Sequence, residues 1–229
     1  SIRCQGKVLN NHRERQASRT SHQFNSVGSF KLNILKSLRV MTSRPFDCPI
    51  PDEPQQPFPI LTGYCDIVCG FGRGSAELGI PTANVPVEHL PGEISKLPLG
   101  IYFGFAKIKP VNKPPSTTAR TDGTDVTFNY GSRLKRENGD LDTLPVVLSI
   151  GRNPFYGNEF NTVELHVIHK FQNDFYGAKV KFNILGYIRP ELDYTTKEAL
   201  INDINIDISK AIEALSKEKY SLLKAQIEE

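Results

Sequence analysis

Residues 163–169 read Val-Glu-Leu-His-Val-Ile-His, with Val163, Leu165 and Val167 on one face and Glu164, His166 and Ile168 on the other. A period of two is the pattern of a half-buried β-strand. Working outward, the same kind of segment recurs. Lys179–Ile188 places Val180, Phe182 and Ile184 on one side. Pro145–Ile150 carries Val146, Val147, Leu148 and Ile150. Gly100–Ile108 is rich in aromatics, and Leu61–Cys69 carries β-formers without a proline. Short strands at these spacings, with no helical pattern between them, predict a mainly β barrel or sandwich.

The C-terminal end changes period. Thr195 or Thr196 is the expected N-cap, with Glu198 in the first turn. Leu200, Ile201, Ile204, Ile208, Ile212 and Leu215 then recur at helical spacing. This predicts one helix whose apolar stripe packs on the barrel. Residues 110–144 are rich in Thr, Gly, Asp, Asn, Lys and Arg. They read as a surface insertion with a minor strand around Val126–Tyr130 and a solvated charged run at Arg133–Glu137, because structureless loops of that length are uncommon inside a domain.

The N-terminal part has another composition. Residues 1–40 hold eight basic residues and one acidic residue, Glu14, with serine recurring throughout. This is the composition of a mitochondrial presequence, and equally that of a disordered tail or of upstream sequence outside the mature protein. Met41, the sole methionine, is a candidate translation start. Six prolines between positions 45 and 59 describe an extended segment that can form neither a helix nor an inner strand. The expected organisation is therefore an N-terminal extension over 1–60 and a folded domain over 61–229 with its insertion at about 110–144.

The chain has 229 residues, 38% hydrophobic, and a net charge of +3. The basic tail supplies more than all of that charge, so the rest is mildly acidic and a nucleic-acid footprint is not expected. No run of apolar residues is long enough for a transmembrane span, and no secretory signal is visible. An intracellular protein is expected, cytoplasmic or mitochondrial or both, and monomeric. Of the four cysteines, Cys65 and Cys69 read as small apolar residues rather than a metal or redox pair, and no Cys-x-x-Cys occurs.

The chemistry is concentrated at residues 70–84, Gly-Phe-Gly-Arg-Gly-Ser-Ala-Glu-Leu-Gly-Ile-Pro-Thr-Ala-Asn. Alternate glycines at 70, 72 and 74 let backbone N–H groups approach a polyphosphate. Arg73 within them is either a phosphate contact or a solvated charge. The loop is neither a Walker A motif nor a dinucleotide fingerprint, because no Gly-Lys-Ser/Thr follows and the spacing differs. Behind Pro81, Thr82 and Asn84 share one side of an extended segment, and both are hard oxygen donors suited to magnesium. Glu164, on the non-core face of its strand, is either a solvated carboxylate or a general base. His166 and His169 are three apart, so a strand points them in opposite directions and they do not chelate together. Phe155 and Tyr156 in the loop after the third strand either stack on a flat ligand or cover the core.

Seven motifs in order, from Gly70-Phe-Gly-Arg-Gly-Ser through Gly79-Ile-Pro-Thr-Ala-Asn, Leu99-Gly-Ile-Tyr, Ser149-Ile-Gly-x-Asn-Pro-Phe-Tyr, Val163-Glu-Leu-His and Asp174-Phe-Tyr-Gly to Gly186-Tyr-Ile-Arg-Pro, closely resemble the riboflavin kinase (flavokinase) family in its monofunctional eukaryotic form. The resemblance runs from about Thr62 to Leu215, outside the insertion. It implies a six-stranded Greek-key closed barrel with a C-terminal α-helix. It implies transfer of the ATP γ-phosphate to the ribityl 5′-hydroxyl of riboflavin, giving FMN and ADP. By the same resemblance, Gly70, Phe71, Gly72, Arg73, Gly74, Ser75 and Ala76 cover the ATP phosphates. Thr82 and Asn84 hold Mg2+, or another divalent ion such as zinc, beside the nucleotide, and Glu164 is the catalytic base. Tyr187 and Arg189, with Phe182 and Leu185 before them, line the flavin site. Some relatives carry a basic residue where this chain has Ala76. Bacterial relatives add an N-terminal adenylyltransferase domain that about sixty residues cannot supply, so FAD synthesis is not expected. The other classes weighed are a non-catalytic flavin-binding barrel, which does not need Thr82, Asn84 and Glu164 together, and an interaction module, which leaves the glycine loop unexplained.

Overall fold

The computed structural model describes residues 48–70, 79–120, 123–152 and 161–228. Strands form at β1 Ile60–Leu61, β2 Cys65–Asp66, β3 Ala83–Val85, β4 Gly100–Lys109, β5 Ser116–Ala119, β6 Asp125–Phe128, β7 Leu144–Arg152, β8 Asn161–Val167, β9 Lys179–Ile184 and β10 Gly186–Arg189. Helices follow at α1 Lys197–Ser216, α2 Glu218–Ser221 and α3 Ala225–Glu228. The fold is a curled antiparallel sheet in the order β1-β9-β4-β7-β8-β3, with β10 on β4 and β2 on β9, plus a C-terminal helical segment. The β5–β6 hairpin is a separate two-stranded sheet.

The period-two pattern sorts side chains as expected. Val163, Leu165 and Val167 are buried with Ala83, Val85, Val146, Leu148, Ile150, Val180, Phe182 and Ile184 on the concave side of the sheet. The convex side carries a second core, in which Phe103, Phe105, Val147, Leu185 and Ile188 meet Ala211, Ala214, Leu215 and Tyr220 from the helices. The Pro-rich approach segment is drawn onto this side: Ile50 packs there, the Tyr220 hydroxyl donates to the Pro51 carbonyl at 3.1 Å, and Lys217 Nζ reaches Asp52 at 2.7 Å.

Three elements differ from the sequence reading, each for a local reason. The expected strand Leu61–Cys69 is two short strands. At Thr62 the main-chain amide still donates to the Phe182 carbonyl at 2.9 Å, but the hydroxyl takes over the return bond, accepting from the Phe182 amide and also donating to the Phe182 carbonyl, both at 3.0 Å. The expected strand Lys179–Ile188 breaks at Leu185, where β4 exchanges one partner for the other. Ala106–Lys109 pair with β9, whereas Ile101–Phe103 pair with β10. At this crossing the Asn183 side chain accepts from the Phe105 amide at 2.8 Å, and Gly104 leaves room for the Asn183 main chain, whose carbonyl a Cβ would strike.

The third difference is the rotation of α1. Thr196 caps it, accepting from the Ala199 amide at 3.2 Å. Its buried stripe is Asp203, Asp207, Ala211, Ala214 and Leu215, and Ile212 of the expected stripe is 48% exposed. A buried cation on the sheet decides this. Arg189 Nη2 lies 2.8 Å from Asp207 Oδ2, and Arg189 Nε donates to both carboxylate oxygens at 3.0 and 3.1 Å. Asp203 accepts from the Tyr194 hydroxyl at 2.8 Å. An unpaired buried charge costs more than an isoleucine left half in water, so the carboxylates face inward.

The insertion docks on the segment after β8. The Tyr130 amide donates to the Tyr176 carbonyl at 2.9 Å, Asn129 Nδ2 to the Asp174 carbonyl at 2.5 Å, and Arg120 Nη2 to the Tyr176 hydroxyl at 3.3 Å. The minor strand around Val126 is present as β6, with a partner, β5, that its Ser-Thr-Thr-Ala sequence did not announce. A polar cleft of about 690 Å³ separates the hairpin from loop 171–176; Arg120, Arg133 and Asp174 are among its lining residues, whereas Thr82, Asn84 and Glu164 are not. No helix among the described residues is long and apolar enough to cross a membrane.

Candidate active site

The outward face of β3, β7 and β8 gathers the chemistry. Because Val163, Leu165 and Val167 point into the core, Glu164 must point outward. The β3–β8 register sets Asn84 directly opposite Glu164, and the β7–β8 register sets Ser149 on its other side. Thr82, just before β3, donates from its hydroxyl to Glu164 Oε2 at 3.4 Å. Thr82 and Asn84 thus share one small patch with Glu164, which lies 82 positions after Thr82 in sequence.

His166, next along the outward face, holds that patch in place. Its Nδ1 lies 2.9 Å from the Pro81 carbonyl. A carbonyl can only accept, so Nδ1 carries the proton. The bond ties the turn preceding Thr82 to β8. His169 instead pairs with Asp140 of the insertion, Nε2 to Oδ1 at 2.8 Å, so the two histidines serve different places, as their spacing predicts.

The glycine loop begins on the same patch. The Val68 amide donates to the Asn84 carbonyl at 2.9 Å, and Gly70 lies against the Asn84 side chain, whose amide nitrogen a Cβ at position 70 would strike. Close approach is the reason for glycine here. Phe71, Gly72, Arg73, Gly74, Ser75 and Ala76 lie outside the described residues, as do Phe155 and Tyr156. Cys65 is buried, Cys69 half-buried, and both are free thiols. Burial pushes the Cys65 thiol pKa up, which suits an inert apolar filler.

The donor set fits a hard divalent cation through oxygen alone. A hydroxyl that donates its proton to a carboxylate keeps oxygen lone pairs for a cation, and a side-chain amide supplies a second oxygen. Among the described residues there is no group of three His, Cys, Asp or Glu arranged to hold a metal. Water and phosphate oxygens would complete such a shell, which is the usual manner of magnesium.

The residues expected at the flavin are divided between the two faces of the sheet, with Tyr187 and Phe182 against the concave-side core and Leu185 in the other. Tyr187 is half-buried on β10, its ring edge-on to Tyr102 at 5.1 Å and over Gly100, where a Cβ would lie 2.7 Å from its Cε2. Phe182 and Leu185 are fully buried, one in each core. Arg189 is committed to Asp207 and, through Nη1, to the Pro190 carbonyl at 3.0 Å.

Two participants were not singled out in the sequence. Asp207 sat among isoleucines as an ordinary helix-surface residue; only the depth of Arg189 gives it a partner. Glu191 follows β10, and its Oε1 lies 2.6 Å from where a Gly151 Cβ would be. Partial desolvation of that carboxyl, then the nearby charges of Asp193 and Glu164, push its pKa up against the opposing pull of Arg189, although the residue as a whole is exposed.

A family model described as Flavokinase, riboflavin kinase, matches residues 62–215. The chain is 59% identical over 187 residues to the riboflavin kinase of Candida glabrata, covering 82% of this chain and 99% of that one. It is 59% identical over 204 residues to the riboflavin kinase of Saccharomyces cerevisiae, covering 88% and 94%. Against that of Eremothecium gossypii it is 58% identical over 188 residues, covering 82% and 100%.

Proposed function

We propose, from the premise that the chain belongs to the riboflavin kinase family, a division of labour among the residues of the outward patch. The protein is a kinase: it phosphorylates riboflavin to FMN at the expense of ATP, releasing ADP. The observation that carries the assignment is the contact between Thr82 and Glu164, with Asn84 in register opposite.

Thr82 and Asn84 would hold a divalent cation, Mg2+ by the chemistry of their oxygens, with zinc a less suited alternative. Bound there, the ion supplies charge neutralisation to the phosphates. Gly70–Ala76 would bring backbone N–H groups to the same phosphates. Glu164 accepts the proton of the ribityl 5′-hydroxyl as that oxygen bonds to the γ-phosphorus and the bond to the ADP oxygen breaks. Such general-base help is worth about 10²–10⁴-fold. His166, through Pro81, keeps Thr82 beside Glu164. Tyr187 offers a ring face to the flavin. Arg189, Phe182 and Leu185 have buried side chains, so their part at the flavin site would be to support it from within the packed interior rather than to touch the ligand.

The same reading includes a closed six-stranded Greek-key barrel. Its support is that residues 65–68 touch both margins of the curled sheet: Cys65 pairs with Val180 of β9, and Val68 bridges to Asn84 of β3. It also includes a monomeric flavoprotein product complex, an N-terminal extension over 1–60 ahead of a kinase domain over 61–229, and cytoplasmic or mitochondrial residence from the basic, acid-poor N-terminal composition. The test is incubation of the protein with riboflavin, ATP and Mg2+, with FMN resolved by chromatography. ATP- and Mg2+-dependent FMN is expected; riboflavin bound but never phosphorylated would reduce the chain to a flavin-binding barrel.

A further inference from the structure

We propose that Glu191 is a second carboxylate of the acceptor site, one that accepts hydrogen bonds from hydroxyls of the substrate's polyol chain next to the hydroxyl that Glu164 deprotonates. The inference rests on the reading of Glu164 given above.

Its place in the fold is built rather than incidental. Gly151 lies on β7 opposite Thr162, one outward position along from the Ser149–Glu164 pair. The missing side chain at Gly151 is the seat of Glu191: Oε1 stands 2.6 Å from the position of an added Cβ, and Thr162 Oγ1 stands 3.4 Å from it. The backbone entering Glu191 is pinned from behind, because Arg189 is locked to Asp207 and its Nη1 donates to the Pro190 carbonyl. A long, flexible side chain is thereby presented over the sheet face that carries Glu164, close enough to sense its charge.

Partial desolvation is the main cost to the Glu191 carboxylate; Arg189 offsets part of it, and the charges of Asp193 and then Glu164 add to it. Perturbed groups of this kind cluster at functional sites. A polyol relieves the cost: each hydroxyl donates one hydrogen bond, and a carboxylate accepts several. A flavin ring carries no comparable row of donors. Glu191 therefore selects the hydroxylated chain rather than the ring.

The experiment measures binding of two flavins by fluorescence quenching: riboflavin, and lumiflavin, which has the ring without the polyol. Glu191→Ala is expected to weaken riboflavin about 10-fold or more, the scale of a hydrogen bond to a charged group, and to leave lumiflavin unchanged. Gly151→Ala is the second variant. Its methyl meets the far end of a flexible side chain, so it displaces Glu191 and leaves the strand intact. It is expected to copy the riboflavin loss, and the double variant to lose no more than either single one. Equal weakening of both flavins, or riboflavin affinity unmoved while the unmodified protein binds it, would overturn the proposal alone. Failure of the unmodified protein to bind riboflavin would overturn the parent reading and this one together.

Discussion

Thr82 donates its hydroxyl proton to Glu164 at 3.4 Å, across a gap of 82 positions in the chain. The bond joins Thr82, ahead of β3, to the middle of β8, and it would couple the proposed cation side of the patch to the proposed general base. Its two partners therefore give separable phenotypes.

Thr82→Ala removes one oxygen proposed for the cation while leaving Glu164 in place. The Mg2+ concentration that half-activates FMN formation should rise, on the order of 10-fold or more by analogy with losses at metal-site residues. Activity at saturating Mg2+ should recover in large part. A titration superimposable on that of the unmodified protein would take Thr82 out of the cation site.

The Arg189–Asp207 pair is buried on both sides, at 4% and 1% side-chain exposure. Asp207→Ala strands the guanidinium and should cost about 3–5 kcal/mol. Ile212→Ala, on the half-exposed flank of the same helix, should cost about 0.5 kcal/mol or less. Urea unfolding ranks the two; the opposite order would mean that the helix sits with its isoleucine stripe inward.

Gly104→Ala drives a methyl into the Asn183 carbonyl where β4 changes partners. Backbone cannot yield there as a side chain can, so a loss of about 1–3 kcal/mol or more is expected. Gly63→Ala has no atom within 4 Å of the new methyl and should leave thermal stability level or slightly raised. Equal melting temperatures for the two variants would contradict the crossing described for β4, β9 and β10.

Glu191 titrates above its ordinary value of 4.5, through desolvation and then the charges of Asp193 and Glu164, with Arg189 opposing. A carboxyl with a raised folded pKa favours the fold while protonated and penalises it once ionised. Glu191→Gln should thus be more stable than the unmodified protein at pH 7, with the difference closing below pH 4.5. Thermal melts at the two pH values check this. A variant less stable at pH 7 would mean that the carboxylate is a structural anion.

Much of the architecture was legible because strand periodicity reports burial directly. Val163, Leu165 and Val167 had to face a core, which alone turned Glu164 outward. The breaks were not legible. Nothing local distinguishes Leu185 from its neighbours, since the bend arises where β4 passes from β9 to β10. The helix misled for a related reason: its isoleucines outnumber its aspartates, but one buried arginine that needs a carboxylate partner sets the rotation. At the site, residue types pointed to Thr82, Asn84 and Glu164, whereas the roles of His166, Gly151 and Glu191 depend on which atoms they meet across strands.

Whether Glu164 takes the proton from the acceptor hydroxyl is decided by the turnover of Glu164→Gln. The amide keeps the shape and cannot serve as the base. With riboflavin, ATP and Mg2+ at saturation, FMN formation should fall about 10²–10⁴-fold while nucleotide binding, followed by calorimetry, persists. FMN formation at close to the unmodified rate, with a folded protein, would contradict the account.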